Sequence, residues 1–225
     1  MTRKRTAILI SGRGSNMSAL IAAAMAPDFP ARIDLVISNR PGAAGLERAQ
    51  AADIETAVVD HKAFETREAF EAEVQALLEA RDIELLCLAG FMRILTDGFI
   101  ATWLDRMINI HPSLLPMFKG LDTHQRALDA GVRLAGCTVH VVRPEMDTGP
   151  IIAQAAVPVL PGDTAETLGK RVLAAEHRLY PHALALYVTG KARVSGERIV
   201  FHEVEADGEG SLMSPTLITR EQADA

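Results

Sequence analysis

The chain is predicted to fold as a single α/β domain. A mostly parallel, twisted sheet would carry helices on both faces, with strands of mixed orientation in the C-terminal half. Three observations predict this. Short apolar runs, Thr6 to Ser11 (TAILIS), Arg32 to Asn39 (RIDLVISN) and Glu84 to Ala89 (ELLCLA), read as buried strands. Segments with helical spacing lie between them, as in right-handed βαβ units. After Asn109 the style changes to longer strands, Gly136 to Val142 and Ile151 to Val159, joined by a loop holding Pro144, Asp147 and Gly149.

Each element has a local reason. Asn16 to Ala26 is an Ala/Met/Leu-rich helix that Ser15 or Asn16 could cap. Gly42 to Ala52 is a second helix and Thr56 to Asp60 a strand. Arg67 to Arg81 carries Phe70, Val74, Leu77 and Leu78 at helical spacing. Asp163 to Tyr187 is one or two helices, opened by Asp163 or Thr164. Beyond Gly190 the chain alternates weakly and then turns polar. Ser211 to Ala225 is expected to be a loose tail. Residues 1–190 therefore read as the working domain. Residues 191–225 read as an extension.

Composition narrows the function. The 225 residues are 48% hydrophobic, which is globular rather than disordered. Aromatic residues make up only 4% and the net charge is -6. Both argue against nucleic acid or an anionic membrane as partner, and leave room for a local anion site. Cys87 and Cys137 sit inside apolar runs, as small core residues of a reducing cytoplasm do. His61, His177, His182 and His202 show no metal-ligand spacing, and no metal is expected. No signal peptide or membrane-spanning helix fits the N-terminal region.

Asn109-Ile110-His111 carries the chemistry. Residues two apart in a strand point the same way, and Pro112 favours extended geometry at His111. A carboxamide donor and an imidazole would then face one spot, while Ile108 and Ile110 face the other. A donor that does not titrate beside an acid/base that does suits acyl transfer. A strand-end histidine satisfied by a backbone carbonyl is the plainer alternative. Asp147, in Met146-Asp147-Thr148-Gly149, is also ordinary turn chemistry, and His140 reads as a packed strand residue.

Two loops offer binding sites. Ser11-Gly12-Arg13-Gly14-Ser15-Asn16 lies between the first strand and the first helix, where glycines admit a ligand and a helix N-terminus offers free N–H groups to an anion. It is neither the dinucleotide fingerprint nor a Walker loop, and a plain tight turn is the alternative. Ala89-Gly90-Phe91-Met92-Arg93-Ile94-Leu95 follows a strand at its carboxyl end, where open α/β sheets bind ligands. It could form a slot for a flat, partly anionic molecule, or simply pack a loop with a solvated Arg93.

Taken in order, SGRGSN, AGFMRIL, NIHPSLLP, GCTVH and DTGPII resemble the phosphoribosylglycinamide formyltransferase family over roughly residues 6–190. The NIHPSLLP block is shared by folate formyltransferases and hydrolases, and the glycine-rich loop is the more specific mark. The resemblance implies transfer of a formyl group from 10-formyltetrahydrofolate, as co-substrate, to the amine of 5-phosphoribosylglycinamide in purine biosynthesis. It implies direct attack through a tetrahedral intermediate, with no metal. Asn109, His111 and Asp147 match the catalytic trio, with Thr138 a weaker support. Gly14, Ser15 and Asn16 match phosphate-binding positions, and Glu176 matches a carboxylate that meets the ribose. Arg67, Met92, Arg93, Ile94, Leu95 and Asn109 match folate-binding positions. The implied partners are small molecules, for a cytoplasmic monomer or homodimer. A formyltetrahydrofolate hydrolase would carry a further N-terminal domain, and the first strand near Thr6 leaves none expected. A methionyl-tRNA formyltransferase would need a basic C-terminal domain. A non-catalytic nucleotide-binding module would have no use for the Asn109, His111 and Asp147 set.

Overall fold

A computed structural model describes residues 2–203 and 214. The expected tail, Ser211 to Ala225, lies outside the described residues apart from Ser214. Seven strands form the main sheet: β1 (Lys4–Ile10), β2 (Ala31–Ser38), β3 (Glu55–Val58), β4 (Leu85–Leu88), β5 (Met107–His111), β6 (Leu134–Val141) and β7 (Ile151–Pro158). Their order is β3-β2-β1-β4-β5-β6-β7. The first five run parallel, and β6 and β7 are antiparallel to their neighbours. The strand order reverses direction at β1/β4, a switch point whose carboxyl edge opens a crevice.

Among the described residues, six α-helices pack on the sheet: α1 (Ser15–Ala24), α2 (Ala44–Gln50), α3 (Arg67–Glu79), α4 (Asp97–Thr102), α5 (Thr123–Asp129) and α6 (Ala165–Val188). The alternation of β1 explains the layering. Ile8 and Ile10 pack with Met17, Leu20 and Tyr180 from α1 and α6. Ala7 and Leu9 pack on the opposite face with Phe70, Val74 and Leu78 of α3 and Phe99 of α4. Period two thus sends successive residues of one buried strand into two cores.

One local reading is corrected and two are sharpened. Neither Ser15 nor Asn16 caps α1. Gly14 is the N-cap, at φ 68, and no side chain caps it. The segment from Asp163 to Tyr187 is one helix despite Pro181, opened by a capping box between Thr164 and Thr167. The weak alternation after Gly190 resolves into a hairpin, β8 (Ala192–Ser195) with β9 (Arg198–Phe201), which sinks Ala192 into the core.

Candidate active site

Asn109 and His111 project from the carboxyl end of β5, while Ile108 and Ile110 enter the core on the α1/α6 side. Both polar side chains line a cavity of about 490 Å³, in the size range of small-molecule sites. His111 is buried, and each ring nitrogen faces an acceptor. Nε2 lies 3.0 Å from the Phe118 carbonyl. Nδ1 lies 3.4 Å from Asp147 Oδ2. An imidazole offers an N–H to both only when doubly protonated. Asp147 has φ 57, a backbone state that aspartate tolerates better than most residues. Its Oδ2 accepts from the Gly120 N–H at 2.8 Å, which ties the loop of residues 143–150 to the loop of residues 112–122.

His140 is the packed strand residue expected, and it also belongs to this group. In the β5–β6 ladder Asn109 pairs with His140, and His111 pairs with Thr138. The His140 Nδ1–H donates to the Val141 carbonyl at 3.1 Å. Burial pushes the His140 imidazole below its usual range, so it stays neutral and Nε2 is left as an acceptor. The Asn109 Nδ2 group donates to that nitrogen at 3.2 Å, which fixes which end of the carboxamide is the amine. Asp147 Oδ1 lies 3.7 Å from the same nitrogen. The alternation of Thr138 and His140 on one strand was a visible signal, but only the register places it opposite Asn109 and His111. Thr138 is fully buried and holds the turn after His111. Its hydroxyl donates to Ser113 O at 2.7 Å and accepts from the Leu115 N–H at 3.0 Å.

The loop of residues 90–95 forms one wall of the cavity, and Met92, Arg93, Ile94 and Leu95 all line it. Met92 and Ile94 are exposed there. Arg67 does not line it. It opens α3 as an exposed residue behind its Thr66 cap. Residues 120–125 and Arg143 also line it, and His124, which the sequence offered as a capping or mouth residue at the start of a helix, stands among them in α5. Arg143 is already engaged, donating to Asp105 at 2.8 Å.

Gly14, Ser15, Asn16 and Glu176 form a second cluster, outside that cavity. A Cβ on Gly14 would sit 2.9 Å from Gly45 Cα, and its φ is left-handed. Gly14 is therefore required by the packing of the loop against α2, besides any approach of a ligand. Asn16 Nδ2 donates to Glu176 Oε2 at 2.7 Å, joining α1 to α6 across 160 residues of sequence. Asn16 Oδ1 is buried without a partner among the described residues. With no side-chain cap, the first N–H groups of α1 are open to an anion.

Burial raises the Glu176 carboxyl above its usual range, against a smaller lowering by Asn16. A raised acid in the fold stabilises it below the unfolded pKa, and that contribution is lost as pH rises through the folded pKa. Glu176→Gln, which mimics the protonated acid, is therefore expected to melt above the wild type at neutral pH. The gap should close toward about pH 4. Melting curves across this range check it, and a wild type that melts higher at neutral pH would contradict the burial penalty.

The formyl transferase family model matches residues 4–184. The chain is 50% identical over 192 residues to a trifunctional purine biosynthetic protein adenosine-3 of Bos taurus, covering 85% of this chain and 19% of that protein. It thus spans about a fifth of the length of such multifunctional relatives. It is 39% identical over 208 residues to the phosphoribosylglycinamide formyltransferase of Escherichia coli (strain K12), covering 92% of this chain and 95% of that one. The solved phosphoribosylglycinamide formyltransferase of Brucella melitensis is 58% identical, with a TM-score of 0.81 over 84% of this chain and 97% of its own.

Proposed function

Because this chain belongs to the phosphoribosylglycinamide formyltransferases of the formyl transferase family, we propose that it transfers a formyl group from 10-formyltetrahydrofolate to the amine of 5-phosphoribosylglycinamide, in purine biosynthesis. The observation that carries this reading is the convergence of Asn109, His111 and Asp147 on the wall of one cavity. The cavity fits a flat heterocycle. Apolar Phe91, Met92 and Ile94 flank it. The backbone N–H and C=O groups of Arg93, Ile94 and Leu95 make no hydrogen bond among the described residues. Unpaired donors and acceptors along a slot are what the polar edge of a pterin requires.

The folate supplies an activated one-carbon unit, and the residues of this chain do the rest. Asn109 Nδ2 has one hydrogen on His140 and a second free for the formyl oxygen as negative charge develops there. His111 can give a proton to the leaving folate nitrogen as its bond to the formyl carbon breaks, and the ring, then neutral, can take up the proton that the attacking amine sheds. Asp147 keeps the ring in place and offsets its positive charge. The uncapped start of α1, with Gly14, Ser15 and Asn16, is suited to the substrate phosphate. Glu176 and the unpartnered Asn16 Oδ1 are acceptors for ribose hydroxyls. Arg93 at the cavity wall is a counter-charge for the acidic tail of the folate, and Arg67, outside the wall, is proposed for the tail's far end. No helix among the described residues is long and apolar enough to cross a membrane. Two buried free thiols and a net charge of -6 support a cytoplasmic enzyme of small molecules, monomeric or homodimeric, that does not bind nucleic acid.

A turnover assay of 10-formyltetrahydrofolate with and without the ribonucleotide tests this. Consumption is expected only when the acceptor is present, with one formylated ribonucleotide per folate released. Equal consumption in its absence would mean hydrolysis, and none under either condition would end the reading.

A further inference from the structure

The loop that forms the folate wall does not hold its own shape. Between its ends, Arg93, Ile94 and Leu95 make no hydrogen bond through backbone N–H or C=O among the described residues. Such a segment takes its conformation from whatever fixes its two ends. Both ends are fixed by buried side chains that do not line the cavity.

Ser11, at the end of β1 and 4% exposed, holds the first end. Its N–H donates to Gly90 O at 3.2 Å. Its hydroxyl accepts from the Met92 N–H at 2.8 Å and donates to Asn39 Oδ1 at 2.6 Å. Asn39 is itself buried beyond the end of β2. A single hydroxyl therefore ties the folate loop to two neighbouring strand ends.

Glu71, on α3 and also 4% exposed, holds the second end. One carboxylate oxygen accepts from the Thr96 N–H at 2.7 Å, and the other accepts from the Thr96 hydroxyl. Thr96 in turn caps α4 through the Phe99 N–H at 3.3 Å. Glu71 makes no ion pair among the described residues. A buried carboxylate without a cation is costly, and an apolar residue would pack α3 equally well. What it offers is a pair of acceptors at the point where the loop ends.

We propose that Ser11 and Glu71 are positioning residues of the folate slot. They hold its two ends, set the spacing of the unpaired backbone groups of residues 93–95, and so set folate affinity without touching either substrate. The inference rests on the cavity being the folate slot. It yields a cross-site result: Ser11 opens the phosphate loop, yet its loss is felt by the folate.

Calorimetric titration with 5-formyltetrahydrofolate, which carries the heterocycle but does not donate its formyl group here, is the test. Ser11→Ala and Glu71→Ala are each expected to weaken binding about tenfold, the effect of losing one well-made hydrogen bond with its partner left unpaired. The KM for the ribonucleotide should stay within about twofold, because the start of α1 is unchanged. Glu71→Gln keeps an acceptor for the Thr96 N–H and should retain most of the affinity even if the alanine variant folds poorly. Gln75 supplies the control, since it accepts from Trp103 Nε1 at 2.8 Å from the same helix, at the far end of α4. Gln75→Ala should lower the melting temperature and leave folate affinity alone. Unchanged folate affinity in folded Ser11→Ala and Glu71→Ala proteins would overturn the inference, as would a Glu71→Gln loss as large as that of Glu71→Ala or equal losses for both substrates. A wild-type protein that bound no folate would overturn the reading of the cavity, and the inference with it.

Discussion

Asn109→Ala should lower kcat by about 10²–10³-fold, the usual loss when one oxyanion donor is removed. KM for either substrate should change little. The donor is aimed where charge appears only as the amine attacks, so its removal affects the transition state more than the bound ground state. The geometry makes the donor unusually well fixed. Neutral His140 accepts one Asn109 Nδ2 hydrogen, so the carboxamide cannot flip without setting its own oxygen against the His140 lone pair. His140→Ala should for that reason lower kcat by a smaller factor, about tenfold, by releasing the donor rather than deleting it. Steady-state kinetics on both variants check the order. An Asn109→Ala enzyme with near-normal kcat, or one whose loss lies wholly in KM, would remove Asn109 from the chemistry.

The division between what the sequence displayed and what it concealed follows sequence distance. Asn109 and His111 were legible because period two is a local rule of one strand. The strands β1, β2 and β4 were legible because a strand buried on both faces is apolar at nearly every position. His140 was not, because its role depends on the antiparallel register that sets it against Asn109. The cap of α1 was misread for the same reason. Gly14 turns the chain alone, and Asn16 is drawn away to Glu176 on α6. Glu71 looked like one more charged residue of an amphipathic helix, and only packing brings it under Thr96. The six residues of α4 were too few to show a period. Arg67, carried over by resemblance, stands on α3 outside the cavity lining.

Asp147→Asn is expected to have the larger effect, about 10²–10⁴-fold on kcat, the range that a positioned acid/base contributes. The substitution is close to isosteric. Asn accepts the left-handed backbone at φ 57 as readily as Asp, and its carbonyl oxygen can keep the bond from the Gly120 N–H. The fold and the tie between the two loops should therefore survive, with a melting temperature near that of the wild type. What goes is the charge 3.4 Å from His111 Nδ1. With its oxygen kept on Gly120, the replacing amide leaves His111 facing a neutral oxygen and sets an amine against His140 Nε2, where it competes with Asn109 for the one acceptor. Both outcomes disturb proton transfer and leave the pterin wall and the phosphate loop untouched, so substrate affinities should move little. Single-turnover rates, measured beside equilibrium titrations of each substrate, separate these quantities. A folded Asp147→Asn protein with near-normal single-turnover rate would reduce Asp147 to a turn residue that happens to brace Gly120.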